Sequence, residues 1–180
     1  MALKILAFGA SSSKQSINKK FASFASSLFT NAEVNLIDLN DFAMPLFSVD
    51  IEKDFPESAR QFAKLIDNTD LILMSMAEHN GAYSAAFKNI FDWVSRIPNR
   101  PVFNGKNILL LSTSPGPRGA STSMEAMQKR IPFSGGFVLG AMSLPSFNQN
   151  FKEGTGITNP ELLQKLKDLV KQVEDKLNIR

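Results

Sequence analysis

Five apolar runs alternate with amphipathic segments along this chain, and few protein folds accommodate such a pattern. Each run has the length of a strand, and the segments between them repeat apolar residues at three- and four-residue steps, which indicates helices. This alternation predicts a parallel sheet with right-handed crossovers and helices on both faces. We therefore expect a doubly wound α/β fold with strands at residues 3–7, 34–39, 70–76, 107–112 and 136–141.

The run at residues 70–76 is almost continuously apolar, which is typical of a central strand covered on both faces. The chain has 180 residues, of which 43% are hydrophobic, and that is enough for one substantial core. We expect a single domain spanning residues 1–180. Thr122 is the expected cap of the fourth helix, and Thr158 to Glu161 have the spacing of a capping box on the last. Residues 143–157 show no pattern that predicts a structure.

A serine-rich loop at residues 8–18 joins the first predicted strand to the first helix. Its hydroxyl groups, its backbone N–H groups and the helix N-terminus favour binding of an anion such as a phosphate. Ser16 is the expected N-cap of the helix. A serine cluster between two elements is also common in an ordinary polar turn, so the loop alone leaves both interpretations open.

Two other loops follow the third and fourth predicted strands, at residues 78–84 and 113–119. In a doubly wound sheet the ligand lies outside the carboxyl ends of the strands, where the strand order reverses. All three loops should therefore meet in one crevice. Gly81 allows close backbone approach to a ligand, and Pro115 with Gly116 gives a stiff wall that suits a planar ring.

Composition excludes several classes of function. The chain has no cysteine and one histidine, which argues against disulfides, thiol redox chemistry and a structural zinc site, so we expect no metal site. Its formal charge of +3 comes from scattered lysines and arginines, and we expect no nucleic-acid partner. We also expect no signal peptide, no membrane span and a cytoplasmic location.

Three motifs resemble those of the NADPH-dependent FMN reductase family, within the flavodoxin-like fold. They are Phe8-Gly9-Ala10-Ser11 with Ser16 and Asn18, then Glu78-His79-Asn80-Gly81 with Phe87-Lys88-Asn89 and Asp92-Trp93, and finally Ser112-Thr113-Ser114-Pro115-Gly116. The resemblance covers residues 1–140 and implies a five-stranded sheet of order 2-1-3-4-5. It also implies bound FMN, with NADPH or NADH as the electron donor.

The resemblance implies a role for individual residues. The first motif would hold the FMN phosphate, and the other two would line the flavin ring. The cofactor-binding residues implied are Ser11, Ser13, Ser16, Ile17, Asn18, Glu78, His79, Asn80, Gly81, Ser114, Pro115 and Gly116. The family often has arginine where Ser13 stands, which would leave the phosphate charge to Lys14 or to backbone groups. The family's usual proline and tyrosine correspond to Ala77 and His79, and its usual proline-glycine to Ser84-Ala85.

We therefore expect an FMN-dependent oxidoreductase that passes hydride from NADPH or NADH to a quinone, a flavin or a similar small-molecule acceptor, with no catalytic side chain of its own. Two alternatives are a flavodoxin-like electron carrier and a flavin-free member of the fold. The resemblance implies a homodimer or homotetramer, in which Trp93 is a candidate subunit contact. Asp38 is a weaker candidate for a ribose-binding acid.

Overall fold

Parallel strands form the centre of the structure, a computed structural model that describes residues 2–177. The strands are β1 (Leu3–Ala10), β2 (Ala32–Leu36), β3 (Leu71–Met76), β4 (Lys106–Thr113) and β5 (Gly136–Leu144). Their spatial order is β2-β1-β3-β4-β5, and all neighbours pair in parallel. The predicted flavodoxin-like α/β fold is confirmed, and every residue of β3 is buried as expected for the middle strand.

Helices cover both faces of the sheet. They are α1 (Ile17–Ser26), α2 (Glu57–Asp67), α3 (Ala85–Val94), α4 (Ser121–Arg130), the one-turn α5 (Phe147–Asn150) and α6 (Pro160–Lys176). Successive side chains of a strand point to opposite faces, so the sheet separates two cores. One core packs α2, α3 and α4 against side chains such as Phe8 and Met74. The other packs α1 and α6 against Ala7 and Leu73.

Short elements fill the connections. Residues Leu39–Phe42, Val49–Ile51 and Pro132–Ser134 form single 3₁₀ turns. Two small antiparallel hairpins pair Glu78–His79 with Ala82–Tyr83 and Phe151–Lys152 with Gly156–Ile157. The second hairpin lies in the segment for which the sequence predicts no structure, where the rings of Phe147 and Phe151 stack with centroids 4.6 Å apart.

One expected strand end and two expected helix caps are wrong. Strand β2 ends before the predicted limit because the Asp38 carboxylate accepts a hydrogen bond from Asn40 N and starts a 3₁₀ turn. Helix α4 begins at Ser121 without a cap from Thr122. Helix α6 is capped by Asn159, whose side chain accepts hydrogen bonds from two backbone N–H groups, rather than by Thr158.

Trp93 is fully buried, so the expectation that it lies at a subunit contact is wrong for this chain. Its Nε1–H donates a hydrogen bond of 2.7 Å to the carbonyl of Pro45, and its ring meets that of Phe47 edge to face. Asn89 holds the same segment, accepting from Phe47 N at 2.8 Å and donating to Pro45 O at 3.0 Å. Trp93 and Asn89 therefore clamp the long connection after β2 onto α3.

Strand β5 forms one edge of the sheet. Its register with β4 shifts between Ile108 and Leu109, so that Leu139 is bulged out of the ladder. The ammonium group of Lys176, at the end of α6, donates a hydrogen bond of 2.7 Å to the carbonyl of Leu139. The hydrogen-bonding pattern of this edge strand is therefore irregular at the middle of β5.

Candidate functional site

A cavity of about 240 Å³ lies at the carboxyl ends of β1, β3 and β4. Its lining comes from the three loops that the sequence predicts to converge: Ser11, Ser13, Gln15, Ser16, Ile17, Asn18, Ala77, Glu78, His79, Thr113, Ser114 and Pro115. The position is the switch point between β1 and β3, where flavodoxin-like sheets place their ligand. Residues 11–18 therefore share one pocket with residues 77–79.

Larger depressions lie elsewhere on the surface, but their positions do not favour them. A groove of about 390 Å³ lies beside Lys4, Glu33 and Thr69, at the amino ends of the strands. Another, of about 620 Å³, lies on the outer face of α1 against the hairpin that contains Phe151. Neither is at the switch point, so we assign the site by location rather than by size.

The N-terminus of α1 opens into the cavity. The Ser16 side chain caps the helix as predicted, accepting a hydrogen bond of 3.1 Å from Lys19 N. Within residues 2–177 the backbone N–H groups of Ile17 and Asn18 donate to no protein acceptor. Two free N–H groups at the positive end of a helix form a favourable place for an anion.

The rest of the serine loop is fixed by its own hydrogen bonds. Ser11 is 7% exposed, and its Oγ accepts a hydrogen bond of 3.1 Å from Ser13 N. Ser13 is exposed, and its Oγ accepts from Gln15 N at 3.3 Å. Lys14 is exposed beside them. The hydroxyls of Ser11 and Ser13 therefore help to fix the shape of the loop.

Gly9 allows β1 and α1 to approach one another at this point. A Cβ atom on Gly9 would lie 2.3 Å from Lys19 N and 2.7 Å from the carbonyl carbon of Asn18, which no real contact permits. Only a residue without a side chain fits there. The glycine of the first motif is thus a requirement of helix-strand packing.

Asn18 is 3% exposed, and its side chain makes three hydrogen bonds inside the protein. Its Oδ1 accepts hydrogen bonds from Ser75 Oγ at 2.7 Å and from Thr113 N at 3.0 Å. Its Nδ2 donates to the carbonyl of Thr113 at 3.1 Å. The side chain expected at the phosphate therefore joins the ends of β3 and β4, and the backbone N–H of Asn18 donates to no protein acceptor in the described part of the chain.

The loop after β3 is a tight hairpin, which the sequence analysis missed. Asn80 and Gly81 both have positive φ, at 53° and 77°, as the two central residues of a type I′ turn require. The Asn-Gly pair was the signal that could have predicted this turn. His79, Asn80 and Gly81 are exposed, and neither Asn80 nor Gly81 lines the cavity.

The Glu78 carboxylate ties this hairpin to the loop after β4. Its Oε2 accepts a hydrogen bond of 3.0 Å from Ser123 N and so caps α4. Its Oε1 lies 3.7 Å from Nη2 of Arg118, a side chain that is 76% exposed. Ser123 Oγ also donates to the carbonyl of Ala77 at 2.9 Å.

Ser84 connects the same hairpin to β1. Its Oγ donates to the carbonyl of Ala10 at 2.7 Å and accepts from Phe87 N at 3.2 Å, which caps α3. This hydroxyl stands where the family usually has a proline. It fixes the loop by hydrogen bonds instead of by a rigid ring.

The third loop is fixed by the segment that follows β5. Phe147 N donates to Ser114 O and Ser146 N to Gly116 O, each at 3.0 Å. Ser114 and Pro115 line the cavity, whereas the half-buried Gly116 lies outside its lining. Residues 146–147 therefore support the site, a role that no sequence signal indicated.

Two charged groups near the site have structural partners. Lys19 Nζ lies 2.7 Å from Asp38 Oδ2, and this hydrogen bond is the main reason why the pKa of Asp38 is lowered. Asp38 also accepts from Asn40, so its carboxylate already has partners that the ribose-binding interpretation did not foresee. Burial raises the pKa of Tyr83, which the charge of Arg130 partly offsets.

Within residues 2–177, no three acidic, histidine or cysteine side chains lie close enough to form a metal site. Over the same residues, no helix combines the length and apolar character needed to cross a bilayer.

Comparisons with known proteins show which family and fold this chain resembles. The family model described as NADPH-dependent FMN reductase matches residues 3–150. A 2-hydroxy-1,4-benzoquinone reductase from Burkholderia sp is 33% identical over 129 residues, which are 71% of this chain and 69% of that protein. An uncharacterized protein of Mycoplasma pneumoniae is 32% identical over 172 residues, covering 91% of this chain and 99% of its own. The solved structure of FerB, a flavoenzyme NAD(P)H:(acceptor) oxidoreductase from Paracoccus denitrificans, has a TM-score of 0.80 and 23% identity, covering 97% of this chain and 96% of that one.

Proposed function

This chain belongs to the NADPH-dependent FMN reductase family and is an oxidoreductase, and we propose that it passes electrons from NADPH or NADH to a quinone or similar acceptor through FMN held in the strand-end cavity. The observation that carries this proposal is the meeting of the α1 N-terminus with the loops after β3 and β4 in one pocket. This arrangement provides an anion site at the α1 end of the crevice and flat walls at the other end.

The residues at the α1 end fit a phosphate. The N–H groups of Ile17 and Asn18 are free, and the hydroxyls of Ser11 and Ser16 lie in the lining. Phosphate oxygens accept hydrogen bonds from such groups, and the helix dipole adds a favourable field. Ser13 supplies no guanidinium group, so backbone dipoles carry most of the charge compensation, with the exposed ammonium of Lys14 nearby.

The residues at the other end fit a planar ring. Ala77 is small and buried, and Pro115 is rigid, so both give a flat approach. Glu78 and His79 complete the lining on this side. The exposed hairpin turn leaves one side of the crevice open, which suits entry of a nicotinamide and then of an acceptor.

FMN, when bound, supplies the redox chemistry by accepting hydride from the nicotinamide and passing electrons on to the acceptor. The chain itself binds the phosphate and orients the ring. The Glu78 and Ser84 hydrogen bonds keep the ring loop in place, so that little ordering is needed on binding. We assign no proton transfer to any side chain.

The open crevice allows several classes of electron acceptor. Quinones, flavins, azo compounds and metal oxyanions can all reach an exposed flavin face, and we propose a quinone first because the Burkholderia relative is named for one. An electron carrier of the flavodoxin kind is the second candidate. Such carriers are generally acidic to match basic partners, and the formal charge of +3 argues against it here.

The experiment is a titration of the purified protein with FMN, followed by visible absorption, and then an assay of NADPH and NADH oxidation with and without a benzoquinone. We expect a yellow complex and quinone-dependent oxidation of at least one nucleotide. A yellow complex that oxidises neither nucleotide would support the carrier, and the absence of any complex would exclude both flavin functions. Riboflavin serves as the control ligand because it lacks the phosphate.

A further inference from the structure

We propose that Asn18 is a positioning residue, which sets the flavin-ring loop relative to the phosphate site, and that its side chain does not bind the phosphate. This inference rests on the proposed function. It concerns a residue that the family resemblance would place among the phosphate contacts.

The hydrogen bonds of the Asn18 side chain leave little for a ligand. Both acceptor positions of Oδ1 are used, by Ser75 Oγ at 2.7 Å and by Thr113 N at 3.0 Å. Nδ2 donates one of its two hydrogens to Thr113 O at 3.1 Å, so a single amide N–H is left without a protein acceptor among the residues that the structure describes, on a residue that is only 3% exposed. Turning the amide towards a phosphate would leave Ser75 and Thr113 without these partners inside the protein, which is costly.

The elements that Asn18 joins are those that carry the two halves of the site. Asn18 is the second residue of α1, whose N-terminus forms the anion site. Ser75 precedes the last residue of β3, and Thr113 is the last residue of β4. One side chain therefore connects the phosphate helix to both strands from which the ring loops emerge.

The contact with Thr113 fixes the direction in which the chain leaves β4, as well as the distance of Thr113 from α1. Asn18 binds both the N–H and the C=O of Thr113, as a neighbouring strand would. The Thr113 hydroxyl donates to Leu144 O at 2.8 Å on the other side. Thr113 is thus held from two sides where the chain leaves β4 for Ser114 and Pro115, which line the cavity.

The first test is Asn18→Leu, which removes the polar atoms at similar volume and keeps the backbone N–H at position 18. We expect kcat at saturating FMN to fall about 10- to 100-fold, because a displacement of about 1 Å at a reacting centre costs rates of that order. The visible spectrum of the bound flavin should also shift. The ratio of FMN to riboflavin affinity should stay within about twofold, since the phosphate contacts remain.

Ser75→Ala tests the same inference from a residue that is fully buried within β3 and cannot reach the phosphate. We expect a smaller fall in kcat, about 3- to 10-fold, with the same spectral shift and the same affinity ratio. The double variant should be no slower than Asn18→Leu, because both changes break one network. Ser26→Ala is the matched control: it removes a buried hydroxyl on α1 that donates to Ser23 O, away from the cavity, and should leave kcat unchanged.

The outcomes separate the possible roles. A selective loss of FMN affinity in Asn18→Leu, with normal kcat once FMN is saturating, would make Asn18 a phosphate ligand and overturn the inference. A normal kcat and spectrum in Ser75→Ala would overturn it also, even if Asn18→Leu failed to fold. If the unsubstituted protein bound no FMN, the proposed function would fail and this inference with it.

Discussion

The Glu78 carboxylate caps a helix that begins more than forty residues later, because its Oε2 accepts a hydrogen bond of 3.0 Å from Ser123 N. We expect Glu78→Ala to lower the free energy of unfolding by about 1 kcal/mol, the usual effect of losing a helix cap, and to weaken FMN binding. Glu78→Gln keeps an acceptor oxygen and should remain near the unsubstituted protein in both respects. Urea denaturation and FMN titration measure the two effects. An unchanged free energy of unfolding in Glu78→Ala would show that the cap is unimportant.

A negative charge at the helix cap should distinguish FMN from riboflavin. Ser16→Asp retains a side chain that caps helices well, so stability should change by less than about 0.5 kcal/mol. The carboxylate would repel the phosphate, and FMN affinity should fall about tenfold or more while riboflavin affinity stays within about twofold. Fluorescence titration with both flavins provides the measurement. A parallel loss for both ligands would place the phosphate elsewhere.

The contact between β1 and α1 predicts the effect of a single methyl group. In Gly9→Ala the new Cβ would lie 2.3 Å from Lys19 N, so the helix must move away from the strand. We expect a loss of about 1–3 kcal/mol or more in unfolding free energy, typical of overpacking, and weaker FMN binding. Gly116→Ala is the control for stability. A Cβ atom on Gly116 would lie 3.8 Å from its nearest contact, Ser114 Oγ, and the φ of Gly116 is not positive. Comparable destabilisation in both variants would contradict the packing argument.

The ion pair of Lys19 and Asp38 predicts a pH dependence of stability. The pKa of Asp38 is lowered in the folded protein, chiefly by the hydrogen bond from Lys19, from an ordinary value of 3.8. A lowered pKa stabilises the fold above the unfolded value, and this contribution disappears as pH falls through the lower, folded value. The stability difference between the unsubstituted protein and Asp38→Asn should therefore be constant from about pH 5 to 7 and shrink below about pH 4. The stability difference between the unsubstituted protein and Lys19→Met should shrink over the same pH range. A difference in unfolding free energy that persists below about pH 4 would contradict this account.

Trp93 is the single tryptophan and reports on the segment that covers it. Asn89→Ala removes the acceptor for Phe47 N and a donor to Pro45 O, so the segment should loosen and water should reach the indole. We expect a red shift of tryptophan emission and a loss of about 1–2 kcal/mol in unfolding free energy. Lys88→Ala, which breaks an exposed pair with Asp92, should cost less than about 0.5 kcal/mol and leave emission unchanged. An unshifted spectrum in Asn89→Ala would show that the clamp is unnecessary.

The fold could be predicted from the sequence because the signals for its strands and helices are local. The apolar run at β3 and the capping serine before α1 each appear within a few residues, and the structure reproduces both. The Asn80-Gly81 turn was equally local, but Gly81 alone was interpreted, as a point where the backbone approaches a ligand closely, and the hairpin was missed.

The supporting contacts of the site could not be predicted in this way. Asn18 meets Ser75 and Thr113 across 57 and 95 residues, and the pairing depends on the strand order of the sheet. Trp93 lies off the helical stripe, and only the path of the covering segment buries it. Register and loop path arise from the whole fold, which is why these residues received roles from resemblance or from composition alone.

The bulge at Leu139 affects how the protein meets its neighbours in a crowded solution. The outermost strand of an open sheet can template pairing with a foreign strand, and β5 has nine residues with neither charge nor proline to prevent this. In this protein the register between β4 and β5 shifts at Leu139, and the ammonium of Lys176 donates a hydrogen bond to the Leu139 carbonyl. An incoming strand would have to displace a cation and pair across a break. Protection against strand-to-strand aggregation therefore comes from the bulge in β5 together with the lysine at the end of the last helix.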